Sequence, residues 1–121
     1  MTEETKPIKV FVYGILKGRG GKPAILEGYK MYSLGMFPAI LPGNGIIHGE
    51  ILEIDQATLV FFDQIEGFNG PNHRYNHYNR IAVETIDKEV VWIYVYNRDI
   101  SNEYPEIRSG NWLGGMGLNN A

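Results

Sequence analysis

The sequence predicts an α+β domain: a mixed, largely antiparallel, barrel-like sheet with one principal helix. Three observations carry this. Short runs rich in β-branched and aromatic residues recur along the chain, separated by turn signals. Fifteen glycines in 121 residues fit a strand-and-turn protein with tight loops. One segment alone shows helical spacing with a cap at each end.

The elements follow in order. "IKVFVY" (8–13) reads as a buried strand. "GILKGRGGKPAI" follows as a loop, and "LEGYKMYSLG" (26–35) as a second strand. "FPAILPGNG" holds two prolines and an Asn-Gly pair, which predicts a turn. "IIHGEILEI" (46–54) is a third strand, where Gly49 marks a bulge or a close backbone approach. Asp55 is placed to cap a helix over 56–66, with Leu59, Phe62 and Ile65 at helical spacing and Gly67 as its stop. "FNGPNHRYNHYN" is an irregular polar loop. Residues 78–86 and 89–97 form a hairpin turning at Asp87-Lys88. The second arm splits into an aliphatic face (Val91, Ile93, Val95) for the core and an aromatic face (Trp92, Tyr94, Tyr96) suited to a helix contact or pocket wall. No repeat or linker breaks the chain, so residues 1–121 read as one domain with its core at about 8–112 and a glycine-rich, flexible tail at 113–121.

Bulk composition narrows the function. A net charge of −3 and a pI of about 5.6 offer no basic face, which argues against nucleic acid as a partner. The absence of cysteine removes disulfides, thiolate chemistry and the common zinc frameworks. The segment "MTEETKPIKV" lacks a signal-peptide apolar core, and no apolar run reaches membrane-spanning length. A cytoplasmic enzyme or binding domain, with no membrane contact, is the expectation.

Four features are candidate sites. In "VYGILKGRGG" a strand runs into a glycine-rich loop whose successive N–H groups can face an anion, although the spacing is neither a P-loop nor a dinucleotide fingerprint. A flexible connection explains the same residues. His73 and His77 stand four apart, but Asn, Pro and Gly around them argue against a shared helix face and so against a metal. The eight tyrosines read mostly as packing residues with a polar tip. Glu66 is the anomaly, a carboxylate at the negative end of the helix dipole. It reads either as a surface group at a frayed helix end or as a base whose charged form is held uneasy by dipole and desolvation.

The stretches "VFVYGILKGRG", "YSLGMFPAI", "IIHGEILEI", "LVFFDQIEGF", "YNRIAVETI" and "VWIYVYN" occur in an order that is similar to the γ-glutamylcyclotransferase-like superfamily, which includes γ-glutamylamine cyclotransferases and avirulence-induced plant proteins. The resemblance covers about residues 8–112. Its most telling pieces are Tyr-Gly-x-Leu at 13–16 and Asp-x-x-Glu-Gly at 63–67, with "GEILEI" between them. It implies a barrel-like mixed sheet with a pocket at one end. It also implies cleavage of a small γ-glutamyl amide by attack of the substrate's own α-amine on the γ-carbonyl, releasing 5-oxoproline and an amine or amino acid. On this resemblance Glu66 is the general base and acid, and Tyr13, Gly14, Ile15 and Leu16 form the substrate cradle. Tyr78, or Tyr75, lines the pocket, and Tyr104 matches a later pocket tyrosine. No cofactor and no metal are implied. Two departures stand out. Ile15 replaces the Ser or Thr usual in the loop, which keeps a non-catalytic binding module of the same fold as the alternative. The segment between Glu66 and Tyr78 is long and asparagine-rich, so the pocket rim differs.

Overall fold

A computed structural model describes residues 7–114. Its elements are β1 (Ile8–Val12), β2 (Lys22–Ser33), β3 (Pro38–Ile54), α1 (Gln56–Glu66), β4 (Tyr78–Glu84), β5 (Val90–Tyr96) and β6 (Glu106–Ile107). The six strands form one sheet in the order β4-β5-β1-β3-β2-β6. β1 and β5 pair in parallel, with Val10 beside Trp92, and every other neighbouring pair is antiparallel. The fold is thus α+β with a mixed sheet.

The sheet curls into a half-barrel rather than closing, with β4 and β6 as its edges. Contacts across the curl show its sense. The β4–β5 turn reaches over to β2, where Ile86 N–H donates to the Ile25 carbonyl at 3.0 Å. Glu89 in the same turn takes ion pairs from Lys9 of β1 and Lys22 of β2. Residue alternation along β1 assigns its two faces. Phe11 points into the main core with Leu26, Met31, Ile40, Ile47, Val91, Ile93 and Val95. Val10 and Val12 point the other way and, with Tyr94, receive Leu59 and Phe62 of α1. The predicted split of β5 therefore holds, its aliphatic face in the core and Tyr94 against the helix.

α1 starts and stops where its caps dictate. The Asp55 carboxylate accepts Thr58 N–H at 2.8 Å. Gly67 takes a left-handed conformation (φ 68°), and the N–H groups of Gly67 and Phe68 close on the carbonyls of Gln64 and Asp63 at 3.2 and 2.8 Å. Gly49 also has its reason: a Cβ there would sit 2.5 Å from the Val12 carbonyl oxygen and 2.6 Å from the Phe11 ring.

The predicted turn at "FPAILPGNG" is corrected. The chain turns earlier, at Leu34–Phe37, where Leu34 N–H donates to the Phe37 carbonyl at 2.8 Å; Pro38 then begins a strand of 17 residues. Pairing slips between Glu27, opposite Ile46, and Tyr29, opposite Pro42. Gly43, Asn44 and Gly45 thus face Gly28 alone, in a bulge. The Asn-Gly pair is absorbed there, and Pro42 is tolerated beside a ladder that is already interrupted. β2 likewise starts at Lys22 rather than at 26. Of the tail expected at 113–121, Leu113 and Gly114 are described and the rest lies outside the described residues. Just before it, Trp112 is buried in the core, and the Gly110 carbonyl accepts His48 N–H at 2.7 Å.

Candidate active site

Where β1 leaves the sheet, its end faces the last turn of α1 across a cavity of about 460 Å³. That volume is within the range of small-molecule sites, about 300–1,000 Å³. Tyr13, Gly14, Ile15 and Leu16 line one side, Glu66 and Gly67 the helix side, and Tyr78 the β4 side, so six of the seven expected site residues converge. Tyr104 does not. It lies on the exposed turn after Ile100, whose carbonyl accepts its N–H at 3.1 Å, outside the cavity wall. Tyr75 is also exposed and away from the cavity, with Arg74 over its ring. The tyrosines that do complete the wall are Tyr94 and Tyr96, from the aromatic face of β5. That face was visible in the sequence, but its neighbourhood with Tyr13 required the parallel β1–β5 pairing.

Among the described residues, Glu66 is the only carboxylate lining the cavity, and no lysine or arginine lines it. Among the described residues its carboxylate has no ion pair or hydrogen-bond partner. Burial pushes it up to about 7. The phenylalanines nearby in the chain do not supply this burial. Phe62 docks the helix, Phe68 packs beside it and Phe61 is exposed, so none of the three forms the pocket floor. Phe11, Tyr13, Pro38 and Tyr78 form the walls instead.

The tyrosine hydroxyls around Glu66 are committed donors. Tyr13 donates to the Tyr94 carbonyl at 2.6 Å, Tyr78 to the Pro38 carbonyl at 2.9 Å, and Tyr94 to the Asp63 carboxylate at 2.6 Å. Burial raises the pKa of all three, so they stay protonated. A phenol has one proton; with it given to the protein, the oxygen offers a ligand lone pairs only. Tyr78 and Tyr94 therefore offer acceptor oxygens suited to an ammonium group, whereas the Tyr13 oxygen also takes a hydrogen bond from the Ile40 backbone.

Donors come from the loop after β1. Ile15 and Leu16 N–H groups take no protein acceptor among the described residues, whereas Lys17 N–H closes a turn on the Gly14 carbonyl at 3.0 Å. The loop is braced from outside the cavity: Gly18 N–H donates to Glu50 at 2.8 Å and the Lys17 ammonium to Asn111 at 2.6 Å. Gly14 sits close to the opposite wall: a Cβ would lie 3.0 Å from Pro38 Cγ.

One turn before Glu66, Asp63 is fully partnered. Arg80 of β4 grips it through two nitrogens at 2.8 and 3.1 Å, and stacks over Trp92 and Phe68 at 4.3 and 5.1 Å. Sequence reasoning missed this pair, which joins helix and strand and leaves no local pattern.

His77 lines the cavity and packs on Gly67, whereas the Nδ1 of His73 accepts Tyr75 N–H at 3.2 Å outside it. The two histidines thus share no site, and no cluster of three or more His, Cys, Asp or Glu suited to a metal occurs among the described residues. No helix among them is long and apolar enough to cross a membrane.

Comparison with known proteins adds a lineage to this geometry. Residues 10–114 match the family described as "Gamma-glutamyl cyclotransferase, AIG2-like". A "Gamma-glutamylcyclotransferase family protein ytfP" of Citrobacter rodentium is 37% identical, covering 88% of this chain and 96% of the relative. The "Gamma-L-glutamyl-butirosin B gamma-glutamyl cyclotransferase" of Niallia circulans is 32% identical, over 89% of this chain and 81% of the relative. The solution structure of protein ytfP from Escherichia coli superposes with a TM-score of 0.66 at 33% identity, covering 88% and 96% of the two chains.

Proposed function

Since the chain belongs to the gamma-glutamyl cyclotransferase, AIG2-like family, we propose that it cyclises a small γ-glutamyl amide, releasing 5-oxoproline and an amine, without a cofactor. The observation that carries this is Glu66: an unpaired, half-buried carboxylate with a pKa of about 7, alone among acceptor-only hydroxyls.

The substrate's α-ammonium sits on the tyrosine oxygens beside Glu66, and its carboxylate or amide oxygen takes the N–H groups of Ile15 and Leu16. Ionised Glu66 removes one proton from the ammonium. The freed amine attacks the γ-carbonyl carbon of the same molecule, so the C–N bond that closes the five-membered ring forms within a folded substrate. The loop N–H groups hold the oxygen that becomes negative. Glu66 then returns its proton to the departing nitrogen as the original amide bond breaks, and the ring nitrogen gives up its second proton by the same carboxylate to the released amine, which leaves as an ammonium ion. No water enters the balance, and the dry walls favour this outcome over hydrolysis. Ile15 removes a side-chain hydroxyl from the loop, but the backbone donors remain.

The test is 5-oxoproline release from a panel of γ-glutamyl amines, γ-glutamyl amino acids and γ-glutamyl-ε-lysine. Turnover by the wild type but not by Glu66→Gln is expected. Equal turnover by both would remove Glu66 from the chemistry, and no product from any substrate would leave a ligand-binding module of the same fold.

A further inference from the structure

The two edges of the half-barrel are not alike. β6 is two residues long, and such brevity guards an edge against further pairing. β4 runs for seven residues beside β5 with an unbroken register and no proline or lysine. Its two ends fix which backbone groups point outward. Asn97 N–H donates to the His77 carbonyl and Thr85 N–H to the Glu89 carbonyl, at 3.0 and 2.9 Å. Both pairs continue the register of Tyr78 with Tyr96, so odd-numbered residues of β4 bond to β5. Even-numbered residues turn N–H and C=O away, and Ile86 does so toward Ile25 of β2. Among the described residues, Arg80, Ala82 and Glu84 find no backbone partner on that side.

The side chains along this edge complement a copy of themselves. We propose that two copies of the chain pair through β4, antiparallel about a two-fold axis at Ala82, joining their half-barrels into one continuous sheet. Arg80 then stands opposite the partner's Glu84, Ile81 opposite the partner's Val83, and Ala82 meets the partner's Ala82 with no bulk at the axis. Moving the axis to Arg80 or to Glu84 would set like charges opposite each other, so charge selects the register. The faces agree. Arg80 lies on the helix side, over Trp92 and Phe68, and strand alternation puts Glu84 on the same side, where it has no ion pair among the described residues. Asp63 takes Nε and Nη2 of Arg80, which leaves Nη1 for the partner's Glu84. On the other side Val83 packs against the main core, and Ile81 beside it is still 39% exposed. The contact is short, which places the dimer among weak interfaces.

Sedimentation equilibrium on the full chain, from about 10 µM to about 1 mM, should show monomer passing to dimer. Glu84→Lys sets a second cation opposite Arg80, and Ala82→Pro removes the N–H at the axis. Both alter groups that the single chain leaves unpaired, and each should weaken the dimer about tenfold or more. Register is read by cross-linking, since the chain has no cysteine. The axis brings the two Ala82 Cα atoms to about 5.5 Å, within disulfide reach, so mild oxidation of Ala82→Cys should join two chains. Oxidation of Glu84→Cys should not, because the two positions lie four residues apart along the paired strands. A chain that stays monomeric at the highest concentration would overturn the proposal. So would a dimer that Glu84→Lys and Ala82→Pro leave intact, or equal cross-linking of the two cysteine variants. Should Ala82→Pro fail to fold, Glu84→Lys and the cross-linking pair still decide.

Discussion

Two carboxylates stand three residues apart at the end of α1 and meet opposite fates. Asp63 is gripped by Arg80 through two nitrogens, accepts the Tyr94 hydroxyl, and lends its own carbonyl to the helix cap. Glu66 has burial without a partner, and its pKa rises to about 7. Helix, turn and solvent are shared, so partnering alone separates a strut from the proposed base. The strut serves the base as well: Asp63 ties the helix end to β4 and to β5, from which the rest of the cavity wall is built.

Breaking the unpartnered member should have the largest effect. Glu66→Gln is expected to lower kcat by about 10²–10⁴, measured as 5-oxoproline release. In the wild type, kcat/KM should rise about tenfold per pH unit up to about pH 7 and then level, since the ionised form of Glu66 acts as base. A flat profile between pH 5 and 8 would assign the proton transfer elsewhere.

Breaking the partnered member should act on stability first. Arg80→Met leaves Asp63 half-buried with Tyr94 as its remaining partner and should cost about 3 kcal/mol in urea unfolding. Adding Asp63→Asn to that variant should recover part of the loss, and a double-mutant cycle isolates the coupling. If the two losses simply add, Asp63 and Arg80 are not acting as a pair.

The same contrast has a pH signature. Between about pH 4.5 and 7 the folded chain holds a proton on Glu66 that the unfolded chain has released, so stability falls as pH rises through that window. Glu66→Gln removes this dependence. The variant should be more stable than the wild type by about 2–3 kcal/mol at pH 8, with the advantage vanishing near pH 4.5. Thermal unfolding at several pH values reads the difference directly.

The smallest effect concerns the residue that joins the two. Gly67→Ala places a Cβ at φ 68° and 2.8 Å from the His77 ring, and should cost about 1–2 kcal/mol by urea titration. A larger fall in kcat than in stability would show that the cap aims Glu66.

What could be read in advance follows from how local each feature is. The helix carried its signals within thirteen residues, Asp55 to Gly67, so its bounds and the oddity of Glu66 were visible. The Tyr13–Leu16 loop was visible as a strand running into glycines. The turn expected within "FPAILPGNG" (37–45) failed because the same Pro and Asn-Gly residues serve a bulge once Gly28 lies opposite. Arg80–Asp63 and the Tyr94 wall were illegible because they depend on which strands become neighbours. Tyr104 was matched by order along the chain, whereas the cavity takes its later tyrosines from β5.

The Tyr13–Tyr94 hydrogen bond spans 81 residues, and the parallel pairing of Val10 with Trp92 spans one more. Contacts of such separation carry a loop-closure cost before they return any stability, which places the chain among slowly folding topologies, on the order of milliseconds to seconds. During synthesis the helix and the β2–β3 hairpin can form early, but the cavity has no wall on one side until Tyr96 has been added. Binding competence therefore reports folding through β5, and a ligand for this cavity would select molecules in which β1 and β5 have paired over those in which they have not.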